Sequence, residues 1–183
     1  MPQRARERLI SALATTVVEL CRLRRGPQNL PYSRNLPALL IAASVVVDVL
    51  VGDALHDTGN TFARSLLSTG VVLGLCWGAL AIRGLHNRYV QTATALLACS
   101  LVFSLLLLPL ALLAGPPPAS ADQLSGLQVL LGWLTIALLV WQVSVYAHIM
   151  RHAMDASFGL AFALVLSWAL AYWALDRMLF GGM

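Results

Sequence analysis

Asp48, Asp53 and Arg64 are ionisable residues set in or beside stretches that are otherwise apolar, and they are the first residues whose chemistry needs a reason. Asp48 lies twelve residues beyond Leu36 in the run LPALLIAASVVVDVLVGDAL, whose other polar members are Ser44 and Asp53. As a helix, that run places Asp48 about 18 Å from its start, inside the ~30 Å hydrocarbon core of a bilayer. An aspartate at that depth costs about 2.5–3.5 kcal/mol on insertion scales, so it is expected to face other helices and to be protonated or partnered. Hydrogen bonds to neighbouring hydroxyls and amides would make it structural. Titration would suit it to proton or ion coupling, and Arg64, at the start of the next apolar run, is the nearest cation in sequence for a simple ion pair.

The other reactive residue types form weaker constellations. His148 and His152 are four apart, which puts both imidazoles on one helix face, and His86 falls in a loop expected on the same side of the membrane. Three neutral imidazoles could hold a transition metal, but the carboxylate or cysteine partners that usually support such ligands are missing nearby. Val51-Gly52-Asp53 carries half of the Gly-x-Gly-Asp pattern of intramembrane aspartyl proteases. Leu50 replaces the first glycine, and Asp48 and Asp53 lie five residues apart on one helix, pointing about 140° away from each other at ~100° per residue. They cannot share a proton. No zinc-protease motif, nucleophile elbow or phosphate-binding glycine loop occurs, so no enzymatic activity and no cofactor is expected.

The elements that must position these residues are legible from composition. Of 183 residues, 59% are hydrophobic and 11% charged, well below the roughly one quarter charged in soluble domains. Five apolar stretches, 36–55, 62–85, 89–114, 126–150 and 156–180, are each long enough to cross a bilayer as a helix. The fold class expected is therefore an all-α polytopic bundle of five transmembrane helices over residues 36–183. Residues 1–35 precede it as an amphipathic helix and a proline-rich entry loop. In that helix Leu9, Leu13, Val17, Leu20 and Cys21 recur at helical spacing, while Arg4, Arg8, Ser11, Thr15 and Arg22 occupy other faces. It suits a headgroup boundary or the ends of the spans. Its interrupted apolar positions do not make a signal peptide.

All twelve basic residues are arginines, and seven precede residue 35. With Arg83, Arg88 and Arg151 in the loops that share that side, ten lie on one side against Arg64 and Arg177 on the other. The positive-inside rule then places the N-terminus in the cytoplasm and the C-terminus outside. No nucleic-acid recognition module accompanies the arginines, so nucleic acid is not an expected partner. Cys21, Cys76 and Cys99 lie away from the external loops, and no structural disulfide is expected.

Lipid gives helices no hydrophobic reason to associate, so small residues that let backbones approach are the expected contacts. Gly70, Gly74 and Gly78 form one four-residue ladder and Gly159, Ala163, Ser167 and Ala171 another. Both are expected to mark the central, closely packed faces of the second and fifth spans. Most of Trp77, Trp133, Trp141, Trp168 and Trp173 lie too deep for an interfacial belt and are expected between helices. Gln91, Gln128 and Gln142 are expected to hydrogen-bond across helices.

Five spans behind RLRRGPQNLPYSRNLP, with a basic cytoplasmic N-terminus and an external C-terminus, resemble the bacterial branch of the YIP family of five-span membrane proteins. The resemblance implies an integral inner-membrane protein without an assigned activity. The Asp-Leu-Tyr-Gly-Pro motif of the eukaryotic members is missing, so their Rab binding is not implied. The leading expectation is a non-enzymatic scaffold, assembly factor or accessory subunit that associates with other membrane subunits or with itself in the lipid bilayer. The alternative is a small transporter or ion-conducting subunit using Asp48.

Overall fold

A computed structural model describes residues 3–30, 33, 35–55, 59–115 and 124–181, with side chains from residue 11 onward. Leu9, Arg4 and Arg8 as side chains, Pro31, Tyr32 and Arg34 of the entry segment, and the loop residues 56–58 and 116–123 lie outside that description. The chain is all-helical, 87% helix with no strand among the described residues. The helices are α1 (Gln3–Cys21), α2 (Leu36–Ala54), α3 (Thr61–Ile82), α4 (Tyr89–Ala114), α5 (Gly126–Met154) and α6 (Phe158–Phe180). The last five are long and apolar enough to cross a membrane, and the protein is an integral, multi-pass membrane protein.

Local chemistry sets the helix ends. Pro37 occupies the first turn of α2, where its missing N–H would have no intrahelical partner anyway. Asn60 caps α3 by accepting the Ala63 N–H at 3.0 Å, and Ser157 caps α6 by accepting the Leu160 N–H at 3.3 Å. Ser125 and Gln128 make a reciprocal capping box at the start of α5. The Gln128 amide also donates to the Ala114 carbonyl at 3.2 Å, tying the end of α4 to the start of α5. At its far end α5 closes on Asp155 in the left-handed region, which short polar residues tolerate. Leu23, at φ 61°, ends α1 in the same region without that tolerance.

α4 is the centre of the bundle. It packs most extensively on α2, then on α5, and also touches α3 and α1. The segment Thr92–Cys99 is continuously buried, and Thr92, Ala93, Thr94, Ala95, Ala98 and Cys99 are small enough for helices to close on it from several sides. Thr92 and Thr94 satisfy their hydroxyls by donating to the carbonyls four residues back, at 2.8 and 2.7 Å, and so can be buried. Pro109 lies within α4, where it removes one backbone hydrogen bond.

α1 lays Leu13, Val17, Leu20 and Cys21 against α4 and α5. The chain leaving it is held along the same two helices. Trp141 donates to the Cys21 carbonyl at 2.8 Å, a His148 ring nitrogen meets the Arg25 carbonyl at 3.1 Å, and the Gln91 amide donates to the Leu30 carbonyl at 3.1 Å. The last turn of α1 is thus packed beside the middle of α4 and α5, at Cys99 and Trp141, rather than on the ends of the spans, with Ser11, Ala12, Ala14, Thr15 and Val18 left exposed.

Candidate functional site: a polar seam and a cavity within the spans

Asp48 faces inward from α2, and each carboxylate oxygen takes a hydroxyl. Ser65 of α3 donates to Oδ2 at 2.6 Å and Ser104 of α4 donates to Oδ1 at 2.7 Å. One side chain thereby links three helices, and the large cost of taking a carboxyl out of water is offset by two short hydrogen bonds. Hydrogen bonding to neighbouring hydroxyls is the arrangement found. Arg64, the cation expected beside Asp48, instead reaches Asp176 of α6 with Nε 3.1 Å from Oδ1, and its guanidinium lies 5.6 Å from the Phe180 ring centre. The reason is geometric: antiparallel α3 and α6 bring the start of one beside the end of the other. Asp53 is exposed at the end of α2.

Gly52, beside Asp53, has a structural use. It is buried, and a Cβ there would collide with the Thr61 side chain where α3 begins. This is a glycine required by close approach. The two ladders expected to play that part do not. Around Gly70, Gly74, Gly78 and Gly159 an added Cβ would meet nothing within 4 Å. Gly70, Gly74, Gly159, Ala163 and Ser167 are exposed, and Gly78 and Ala171 are half-buried. The central, closely packed positions expected of them are corrected: they lie on the outer surface of the bundle. Their faces are turned out because α3 and α6 direct larger residues inward, Cys76 and Leu80 from the first and Val165 and Trp168 from the second.

A cavity of about 320 Å³ lies between α3, α4, α5 and α6. Ser68, Thr69, Ser100, Gln142, Tyr146 and Tyr172 supply its polar wall. Val72, Leu96, Leu139, Val165 and Trp168 supply much of the rest. The Gln142 amide donates to the Tyr146 hydroxyl at 3.4 Å. Ser100 on its wall and Ser104 on Asp48 are one turn apart on α4, so the seam and the cavity adjoin.

At the arginine-rich end, a second polar pocket of about 290 Å³ is bounded by the entry segment and the ends of α4 and α5. There Arg88 donates to Asp155 at 2.7 Å and to the Ala153 carbonyl at 3.2 Å. A cation at the carboxyl end of α5 complements the helix dipole and occupies otherwise unpaired carbonyls.

The histidines divide into two places. His148 and His152 are adjacent, with ring centres 4.3 Å apart, whereas His86 sits by Trp77 at 6.5 Å. His152 bonds the His148 carbonyl at 2.9 Å and His148 the Arg25 carbonyl, so one nitrogen of each ring is engaged by backbone. No group of three or more His, Cys, Asp or Glu residues converges as a metal site among the described residues. Of the tryptophans, Trp168 is buried, whereas Trp77, Trp133 and Trp173 face outward and Trp141 is exposed even though its ring meets Phe103 edge-on, contrary to the expectation that most pack between helices. Gln142 bonds within its own helix, correcting an interhelical role, whereas Gln128 does bridge two helices.

Sequence reasoning missed two features. One is the contact between Cys21 of α1 and Cys99 of α4, sulfurs 3.7 Å apart as free thiols. The other is the set of spans that converge on Tyr146. The small-residue run of α4, ATALLACS, was the available signal for the central helix, being denser in small side chains than either ladder.

These features define a five-span integral membrane protein with a hydrogen-bonded carboxyl among its helices. Comparison with protein-family models, with curated proteins and with solved structures returned no match.

Proposed function

We propose that this chain is a non-enzymatic scaffold, assembly factor or accessory subunit that works by association, its outward small-residue faces receiving helices of another membrane subunit or of a second copy. The observation that carries the reading is the direction of the two ladders. Small residues turned mostly away from their own bundle supply little packing within it, yet they are the surface on which a neighbouring helix backbone can approach closely in lipid. Asp48 supports the same reading from the inside, because two serine hydroxyls already occupy its carboxylate oxygens and give it a part in assembly.

The surroundings we assign to it are the bacterial inner membrane, with the arginine-rich end in the cytoplasm and the C-terminus in the periplasm. The ten-to-two arginine distribution supports that orientation. Five spans behind an amphipathic helix are also compatible with kinship to the bacterial YIP-like proteins. The alternative, a small transporter or ion-conducting subunit, draws on the intramembrane Asp48 and the adjoining hydroxyls.

Affinity purification in mild detergent separates the two. The parent chain should retain a second subunit or a second copy, and Gly74→Leu or Ala163→Leu should lose it while remaining folded and monomeric. A parent that is monomeric and bare, and that conducts protons or ions in liposomes in a manner abolished by Asp48→Asn, would replace association with transport.

A further inference from the structure

We propose that the cavity between α3, α4, α5 and α6 binds a neutral, membrane-soluble molecule with a carbonyl-bearing head and an apolar body. Depth comes first. The lining residues 68–72, 96–100, 139–146 and 165–172 fall at or near the middle of their respective helices, so the cavity lies deep within the membrane rather than at either end. A ligand reaches such a place through lipid, which selects for apolar molecules without net charge.

The wall agrees with that selection. It contains no Asp, Glu, Lys, Arg or His, so nothing in it would compensate the desolvation of an ion or a phosphate headgroup. Its polar residues are hydroxyls and one primary amide, all neutral; Ser68 already donates to the Ser65 carbonyl, and the Gln142 amide is the donor suited to a carbonyl oxygen. Gln142 gives one N–H to the Tyr146 hydroxyl, which Ser100 also engages, leaving the second Gln142 N–H to be donated to a ligand. Trp168 and Tyr172, four residues apart on α6, stand on one face of that helix and offer aromatic surface to a planar head. At about 320 Å³ the space is at the lower end of the ~300–1,000 Å³ occupied by small-molecule sites, enough for a ring and the first part of a tail.

Two sources share this chemistry: an isoprenoid quinone, whose ring carries two carbonyls, and a neutral glyceride, whose esters do. Decylubiquinone and dioctanoylglycerol are the probes. Each is titrated calorimetrically into the full-length protein in mild detergent, and quenching of tryptophan fluorescence is followed for the quinone. Saturable binding of either probe is expected, weakened roughly threefold to tenfold in Gln142→Leu, the loss expected for one neutral hydrogen bond. Val143→Phe, which fills the cavity, should abolish binding. Quinone quenching should fall in Trp168→Phe and persist in Trp133→Phe, whose indole faces outward. Binding by decylubiquinone alone identifies the quinone source, and binding by dioctanoylglycerol alone identifies the glyceride. Heat and quenching that rise linearly with both probes, and are equal in the parent and Gln142→Leu, would overturn the proposal and leave the cavity to water.

Discussion

Two glycine-bearing regions of the same bundle behave oppositely. At the α2–α3 turn Gly52 is buried against Thr61, and one helical turn before it Asp48 gathers hydroxyls from α3 and α4. Along α3, Gly70, Gly74 and Gly78 repeat at helical spacing, yet no neighbour comes within 4 Å of where a side chain would begin. In water, burial of apolar area would have settled which face turns inward. In lipid both faces are solvated by hydrocarbon, and hydrogen bonds that the solvent cannot supply become a deciding term. The polar seam therefore fixes which sides of α2, α3 and α4 meet, and the glycine face is left over for another helix.

The comparison breaks most severely at Gly52. Gly52→Leu should destabilise the folded chain by about 1–3 kcal/mol or more, because the added side chain forces α2 and the start of α3 apart. Unfolding in mixed micelles, read by circular dichroism, gives the number. Parent-like stability would mean that the α2–α3 turn repacks freely. Next in size is the double change Ser65→Ala with Ser104→Ala, which leaves the Asp48 carboxyl without its two donors. A loss of about 1–3 kcal/mol is expected from an unpaired buried polar group. If each single serine change costs as much as the double, the two hydroxyls act as one unit.

Asp48→Asn sharpens the contrast at smaller scale. The amide keeps the size and much of the hydrogen-bonding shape, and either serine hydroxyl can rotate to accept from it, so the expected loss is under about 1 kcal/mol. Unchanged partner recovery would support a structural Asp48, whereas a folded variant without function would support coupling. The smallest effect on folding is expected on the outer face. Gly74→Leu should leave monomer stability within about 0.5 kcal/mol, as for substitutions away from packed features. A large loss of monomer stability there would show that the ladder packs within the bundle after all.

What the sequence by itself determined is the part set by local rules. Five runs of bilayer length, an amphipathic helix before them, and breaks marked by Gly, Pro, Asn and Ser define elements that the structure reproduces within a few residues. Each depends on composition and spacing within one stretch. That Asp48 must face inward and find a partner also followed from its depth alone. Only the tertiary structure decided who that partner is, because Ser65 and Ser104 lie seventeen and fifty-six residues away and share no periodic signature with it. It likewise sent Arg64 to Asp176, joined Cys21 to Cys99 and turned the small-residue ladders outward. A helix in lipid carries little sequence record of its inward direction, since apolar residues suit both surfaces, and that direction is set by which neighbours the connections bring alongside.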